Sequence, residues 1–530
     1  MSDSLTEYLG RGIDLFKVDL WSPPSKEAVI DPAMLTTHLV NDPLRETGLT
    51  ITYADSLLDI KQKIAVEAGV SGSYGGFSGS VEAKYNHSEE LIRKQHFAYI
   101  SSLITGNRLS IAGGHLRMKQ NLTPDFSAAL KSASPDDLFD EYGTHIAAAI
   151  RIGGRADYYC STSDITTMSD DDFKLAATAK YAALGGSVEG HLSVETQDQG
   201  KLQQVSGSQS LFMIGGSPDL AAKVSEKGGW PEWAKSCQDA PGFLSFDPDN
   251  GLVPIWELTD DPGRQKELRA AYHRRAGKAL QTHVMLATSD TAEHPDASVR
   301  VPDGYKLLSG GAFDDWRDSG NMLTASFPEG DNTWRASGKD HLALSPAGVI
   351  AYATVTYDPD DIWDVQQFKS DLSQKAHHPS ASSSVPDGYT LIGGGAQVQY
   401  SGAGCLLTSS YPSDARTWRC DAKDHVESNE AQIMAVAIGL KCKADGVRIL
   451  QKIQTNTSDK AHWPTTMASP PAEHVMTGGG AKVTYSGDGS LLTASYPKDE
   501  QTWEGRAKDH LSSDEATIDV SAIGIQIVDA

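Results

Sequence analysis

Tyr142-Gly143-Thr144-His145-Ile146, then six residues, then Gly153-Gly154, is the stretch that decides the fold of the first half of this 530-residue chain. A bulky apolar residue, Ile146, follows the polar pair, and an apolar run leads into the two glycines. A glycine pair tolerates backbone angles that other residues resist, and inside a strand it marks a sharp bend. Thr144 and His145 read as polar anchors for neighbouring loops, and His145 taken alone reads as a satisfied buried histidine with no catalytic part. Just upstream, Thr123-Pro124 is a capped helix start with Pro in the first turn. The spacing predicts short helices over Pro124–Lys131 and Ser134–Glu141, and a further helix over Glu267–Lys278 that closes an N-terminal domain of mixed α and β structure.

On the N-terminal side of the signature, Ile64, Val66, Ala68, Val70, Gly72 and Tyr74 alternate with Ala65, Glu67, Gly69, Ser71 and Ser73. After Gly75-Gly76 the alternation resumes, with Phe77, Gly79, Val81, Ala83 and Tyr85 against Ser78, Ser80, Glu82, Lys84 and Asn86. A period of two on both sides of a Gly-Gly turn is the pattern of a β-hairpin with one apolar and one wet face. Each arm has about the ~10 residues that span a bilayer as tilted strand. A second tract follows the signature, where Val188, Leu192 and Val194 alternate with Glu189, His191, Ser193 and Glu195. The preceding Leu175–Leu184 stretch is Ala-rich and alternates less cleanly. Ala, Glu, Lys and Leu accept helix while Val, Tyr and Gly accept strand, so these tracts can serve two states. The bland alternative is a surface hairpin of a static fold.

The spaced signature resembles that of the membrane-attack-complex/perforin (MACPF) superfamily: aromatic-Gly-Thr/Ser-His-aromatic, six residues, Gly-Gly. Ile146 departs from the usual Phe or Tyr and reads as a packing variant. The flanks extend the resemblance over roughly residues 5 to 280. Leu9-Gly10-Arg11-Gly12-Ile13-Asp14 looks like the family's N-terminal Leu-Gly-x-Gly-Tyr-Asp. Pro124-Asp125-Phe126 with Ala129-Leu130 is similar to a perforin helix, and Pro241-Gly242-Phe243, Leu252-Val253-Pro254-Ile255 and a charged helix from Arg264 are similar to the domain's end. The resemblance implies an α+β fold with a bent, twisted antiparallel sheet and Gly153-Gly154 at its hinge. It implies that the two alternating tracts are stored as helical clusters and refold into transmembrane β-hairpins: Ile64, Val66, Ala68, Val70, Tyr74, Phe77, Val81, Ala83 and Tyr85 in one, Val188, Leu192 and Val194 in the other. An open strand edge in lipid leaves backbone groups unpaired, so insertion requires a closed ring of subunits.

The C-terminal part repeats itself with offsets of 84 and then 85 residues. Gly310-Gly311-Ala312 recurs at Gly394-Gly395-Ala396 and Gly479-Gly480-Ala481; Thr333-Trp334 recurs at Thr417-Trp418 and Thr502-Trp503. Lys339-Asp340-His341 recurs at Lys423-Asp424-His425 and Lys508-Asp509-His510. Units this long are too large for a solenoid and predict one all-β domain with pseudo-threefold symmetry, β-prism-like, over residues 282–530, in units of about 282–365, 366–449 and 450–530. A MACPF domain at 1–280 followed by three β repeats resembles bacterial insecticidal proteins with a C-terminal β-tripod domain, which implies receptor binding there. The triplicate motif leaves three readings open: a hydrogen-bond clamp with Lys paired to Asp and Trp334, Trp418 and Trp503 in the core; a ligand site for sugar hydroxyls; or three histidines on a metal. Residues that differ between units are better receptor candidates, namely Phe313 and Trp316 in the first, Tyr400 in the second and Tyr485 in the third.

A net charge of -24 makes nucleic acid an improbable partner and argues against simple adsorption to anionic lipid. The composition is ordinary for a folded protein. No run of eighteen apolar residues predicts a transmembrane helix, and Met1-Ser2-Asp3-Ser4 lacks the features of a signal peptide. Five scattered cysteines form no disulfide framework and fit synthesis in a reducing cytoplasm, with later release. No nucleophile triad, P-loop, zinc motif or nucleotide fingerprint stands out, so neither an enzyme nor a cofactor is expected. The expected function is a pore-forming toxin, probing an unknown glycan, lipid or protein receptor and assembling as a homo-oligomeric ring. The alternative is a non-lytic MACPF adhesion protein or a lectin.

Overall fold

The computed structural model describes residues 3–44, 47–54, 56–70, 80–81, 83–85, 96–162, 169–186, 205–207, 211–317 and 320–530. The chain divides into two compact units, with the break after Ala279.

The N-terminal unit is built on two long antiparallel strands, His96–Ile111 and Ala149–Thr162, paired along almost their whole length. Thr47–Ala54 and Leu39–Pro43 line the free side of the first; Phe212–Ile214, Gly242–Phe246 and Ser206–Gly207 line the second, giving a seven-stranded sheet. Both faces of the long pair are buried, and the alternation of side chains sorts them. Ala98, Ile100, Tyr158 and Cys160 form one core with Phe173, Ala176, Ala177 and Tyr181 of the helix Asp170–Ala183. Phe97, Tyr99, Asp157 and Tyr159 point to the opposite face, where the helix Leu57–Ala68 and Tyr85 lie.

The expected helices are present as Pro124–Ser132, Pro135–Tyr142 and Pro262–Lys278, each with Pro in its first turn and a side-chain cap from Thr123, Ser134 or Asp261. Leu57–Ala68 is a helix too, capped by Ser56 and ended by Gly69 at φ 71°. In this form of the protein Ile64, Val66 and Ala68 therefore lie on a helix, the stored state that the resemblance implied for this tract. The helix buries Leu58, Ile60, Ile64 and Ala68 at helical spacing, while Val66 is 54 % exposed.

The C-terminal unit is all β. Each repeat supplies six strands: His283–Thr288 to Gly348–Tyr357 in the first, Trp363–Lys369 to Gln432–Cys442 in the second, Val447–Thr457 to Thr517–Asp529 in the third. The first, third and sixth strands of a repeat pair together, and so do the second, fourth and fifth. These half-sheets join between repeats: Ala325 faces Gln397, Ser409 faces Lys482, and Ala312 faces Ser495 to close the cycle. The result is three six-stranded sheets, each shared by two repeats.

The triplicate Gly-Gly and Thr-Trp motifs make this crossing possible. A Cβ on Gly310, Gly394 or Gly479 would lie 2.3 to 2.5 Å from the indole of Trp334, Trp418 or Trp503. A Cβ on Gly311, Gly395 or Gly480 would meet the backbone of a neighbouring repeat at 2.4 to 2.6 Å. The three indoles are buried, and each Nε1 donates to a serine, Ser326, Ser410 or Ser495, at 3.0 to 3.1 Å. They are core residues, so the reading that places them beside a bound sugar is corrected.

Candidate functional site

Three separated pieces of sequence meet at the signature. Gly12–Ile13, His145–Ala147 and Leu252–Pro254 form a small antiparallel sheet with the signature strand in the middle. Backbone approaches here require glycine. A Cβ on Gly12 would lie 1.7 Å from the carbonyl oxygen of Tyr142, and Gly143, at φ 77°, sits against the backbone of Ile13. The Thr144 hydroxyl accepts from Leu15 N–H at 3.2 Å and donates to Ile13 C=O at 3.3 Å. His145 Nδ1 lies 3.0 Å from that hydroxyl, and its ring packs edge-on against Trp256 and Tyr272. Burial pushes the imidazole pKa down to about 3, so the ring is neutral at physiological pH. Tyr142 and Ile146 are buried. The signature is a structural knot tying both ends of the domain to its centre.

Gly153 and Gly154 lie in the long strand Ala149–Thr162, where the pairing slips on both sides. Facing them, the register with His96–Ile111 shifts between Thr105 and Asn107, and the register with Gly242–Phe246 shifts between Arg151 and Ile152. Such bulges bend and twist a strand locally. Gly154 also seats a helix: a Cβ there would lie 2.2 Å from Sγ of Cys237, at the end of the helix Gly229–Ser236.

The first alternating tract is held down by a buried charge network. Arg155, 1 % exposed, donates from Nη2 to Glu67 Oε1 at 2.6 Å, and its Nε lies 3.7 Å from Asp157. Its guanidinium also stacks 3.7 Å from the ring centre of Trp21. Tyr99 and Tyr159 donate to Asp157 at 3.1 and 3.2 Å, and Trp21 Nε1 donates to Tyr159. Burial raises the carboxyl pKa of both Glu67 and Asp157, and Arg155 opposes that rise. Glu67 belongs to the helix Leu57–Ala68, whereas Arg155 and Asp157 belong to the central strand, so this network ties helix to sheet. Sequence reading missed it; a lone Arg between two apolar faces was the available signal.

Further along the tract, Val70 and Val81 are buried, Ala83 is exposed, and Tyr85 packs edge-on against Phe97 and Tyr159. Tyr74 and Phe77 lie outside the described residues, as do Val188, Leu192 and Val194 of the second tract. The helix Asp170–Ala183 covers the other face of the sheet, with the Tyr181 hydroxyl donating to Ser102 at 2.6 Å. Both tracts are inserted between paired strands. The first separates Ala54 from its partner Phe97, and the second separates Ser161 from its partner Ser206.

In the C-terminal unit the Lys-Asp-His motifs stitch repeat to repeat. His341 Nε2 bonds to the carbonyl oxygen of His425, His425 Nε2 to that of His510, and His510 Nε2 to that of His341, in a closed ring. With every Nε2 committed to a backbone oxygen, the three-histidine metal reading is corrected; among the described residues no metal-binding cluster of His, Cys, Asp or Glu is present. The lysine ammonium groups lie over aromatic rings, and the adjacent aspartates act on them only through their charge, so the clamp differs from the direct Lys–Asp pair expected. Lys339 lies over Tyr400, Lys423 over Tyr485 and Lys508 over Trp316, each 4.2 to 4.7 Å from the ring centre. Burial lowers these ammonium pKa values, to about 8 for Lys423 and Lys508. Asp424 and Asp509 instead take His377 and His462, at 2.8 and 2.9 Å, and Asp340 has no histidine at the matching place. Three of the receptor candidates, Trp316, Tyr400 and Tyr485, are thus half-buried platforms for lysines, and Phe313 packs on Tyr496.

Just after each motif, Leu342, Val426 and Leu511 stand 51, 60 and 57 % exposed, each with a left-handed backbone (φ 60, 63 and 56°). Positive φ is strained for such residues, most of all for β-branched valine. Beside Val426 lies a polar pocket of about 180 Å³ lined by Lys423, Asp424, Glu427 and Asp488 among others.

Comparison with known proteins places these features in a family. Residues 4–261 match the MAC/Perforin domain. Curated protein sequences return no match. Among solved structures, the chain is similar to GNIP1Aa from Chromobacterium piscinae (16 % identity, TM-score 0.43, 72 % of this chain and 77 % of that one). It is similar to a protein with a MAC/Perforin domain from Bacteroides thetaiotaomicron VPI-5482 (15 %, TM-score 0.40, 56 % and 64 %). It is also similar to Astrotactin-2, a vertebrate-specific perforin-like membrane protein (12 %, TM-score 0.32, 61 % and 65 %). The chain therefore spans just under two thirds of the last two. Residues 4–261 of this chain thus carry a MAC/Perforin domain.

Proposed function

We propose that the protein is a pore-forming toxin that assembles as a ring and converts the two inserted tracts into membrane-spanning β-hairpins, without enzymatic chemistry. One observation carries this reading. The register of the paired strands Thr47–Ala54 and His96–Ile111, continued past Ala54 and Phe97, meets itself between Gly75 and Gly76. That register sets Val66 opposite Tyr85, Ala68 opposite Ala83, Val70 opposite Val81 and Tyr74 opposite Phe77. Every pair is apolar on one face, and Glu67 falls opposite Lys84 on the other. A hairpin that simply extends the existing sheet would thus carry a lipid face and a wet face with a two-residue Gly-Gly turn.

The second tract supports the same reading. Continuing from Ser161 and Ser206 sets Val188 opposite Ala179, Leu192 opposite Leu175 and Val194 opposite Phe173. Each subunit would then add four strands, and only a closed ring leaves no unpaired edge in lipid. Among the described residues no helix is long and apolar enough to cross a membrane.

In this reading the C-terminal unit finds the target. The three outward apolar side chains at Leu342, Val426 and Leu511, with the pocket beside Val426, form its best candidate surface for a receptor. The similarity to bacterial insecticidal proteins makes an insect cell the first host to try. Dye release from vesicles made of target membranes, with imaging of rings, tests the proposal. Val81→Asp is expected to abolish leakage while leaving binding intact. Undiminished leakage from that variant, or binding with neither rings nor leakage in the unmodified protein, would overturn it.

A further inference from the structure

Asp314 is 1 % exposed, and neither of its carboxylate oxygens has a hydrogen-bond partner. Asn321 is fully buried, and its Oδ1 is likewise without a partner. Its Nδ2 donates to the carbonyl oxygens of Glu293 and Ala292, at 3.3 and 3.5 Å, so turning the amide over would set oxygen against oxygen. A Cβ on Gly338 would lie 2.8 Å from Asn321 Oδ1 and 3.0 Å from Asp314 Oδ2, so both oxygens border the space that this glycine leaves free.

The other two repeats show what these positions need for folding alone. Asp314 corresponds to Val398 and Val483, Asn321 to Cys405 and Ser490, and Gly338 to Ala422 and Ala507. The first repeat has changed three neighbouring positions together: an apolar side chain into a carboxylate, a small group into an amide, and an alanine into the glycine that makes room for both. It also carries Glu293 where the others place His377 and His462. Buried oxygens left bare against one another are costly unless something positive lies between them.

We propose that Asp314 and Asn321, in the space left by Gly338, bind one calcium-class cation through side-chain oxygen. A carboxylate that offers two oxygens beside an amide oxygen suits a hard cation of flexible coordination. Burial pushes the Asp314 carboxyl well above its usual range, and the Lys508 ammonium pulls it part of the way back. A bound cation would complete the ionisation. The inference stands apart from the pore-forming reading, since it concerns only the repeat unit.

The test uses the full chain, stripped with a chelator. Terbium, read by emission sensitised through the protein's tryptophans, is titrated first, and calcium, magnesium and sodium are then used as competitors. The expected result is saturable sensitised emission, reversed by calcium, together with a higher melting temperature in calcium. Asp314→Val, the side chain both other repeats carry, is expected to remove both effects, and Asn321→Ser to weaken them at least tenfold. If the unmodified protein shows neither emission nor a calcium-dependent shift, or if Asp314→Val keeps them, the site is not a cation site. An Asp314→Val protein more stable than the parent in every salt would mark the carboxylate as a neutral buried acid instead.

Discussion

One added methyl group at Gly154 would put a carbon 2.2 Å from the sulfur of Cys237. Gly154→Ala is therefore expected to lower stability by about 1–3 kcal/mol, the usual cost of overpacking, measured by denaturant unfolding. A substitution at exposed Ala83 should change little. His145 makes a pH-dependent contribution whose sign can be worked out. Its folded pKa, about 3, lies below the 6.5 of the unfolded chain, so the unfolded state takes up the proton first. Its contribution is whole above pH 6.5 and is lost as pH falls toward 3, by about 1.4 kcal/mol per unit. His145→Asn should flatten the fall in stability between pH 6.5 and 5 relative to the parent; equal slopes would show that burial does not keep the ring neutral. The identity of these residues was legible in the sequence because the signature is compact and spaced. Their mechanical meaning was not, because the partners of Thr144 and Gly154 lie 129 positions before and 83 after in the chain.

At the scale of elements, the helix Leu57–Ala68 shows why one stretch reads two ways. Ile60, Ile64 and Ala68 recur at helical spacing, while Ile64, Val66, Ala68 and Val70 recur at strand spacing. Local pattern cannot choose between them; the ion pair of half-buried Glu67 with buried Arg155 and the sheet beneath favour the helix. Arg155→Met would leave buried Asp157 and half-buried Glu67 without a cation. It is expected to cost about 3–5 kcal/mol and to speed amide exchange in residues 57–68 ahead of the rest of the sheet. Exchange that rises uniformly would show that the network does not hold this element in particular. In the proposed hairpin Glu67 trades Arg155 for Lys84, so Glu67→Lys alone should impair leakage and the double change with Lys84→Glu should partly restore it. The helix calls for pairing information that no single sequence contains, and so does the register that aligns both tracts, since it is fixed by strands on either side.

At the scale of the molecule, the tripled sequence made three repeats plain but gave no sign that each sheet is shared between two of them. That follows from closure of the cycle by Ala312 and Ser495, which are 183 positions apart. The unit should therefore fold as a whole. Deleting residues 446–530 is expected to leave the first two repeats protease-sensitive, because two of the three sheets lose half their strands. A trimmed but resistant two-repeat core would contradict this. Against the other two repeats Asp314 stands out as a departure from the pattern; only burial reveals that it faces inward, away from any receptor.

Single cysteines placed at each position from 64 to 86 in a cysteine-free background, labelled with a polarity-sensitive dye and read in membrane-bound rings, test the refolding most directly. The expected emission alternates with a period of two, lipid-like at even positions up to Tyr74 and at odd positions from Phe77, with the phase changing across Gly75-Gly76. A helical period, or spectra unchanged from those of the free protein, would contradict it.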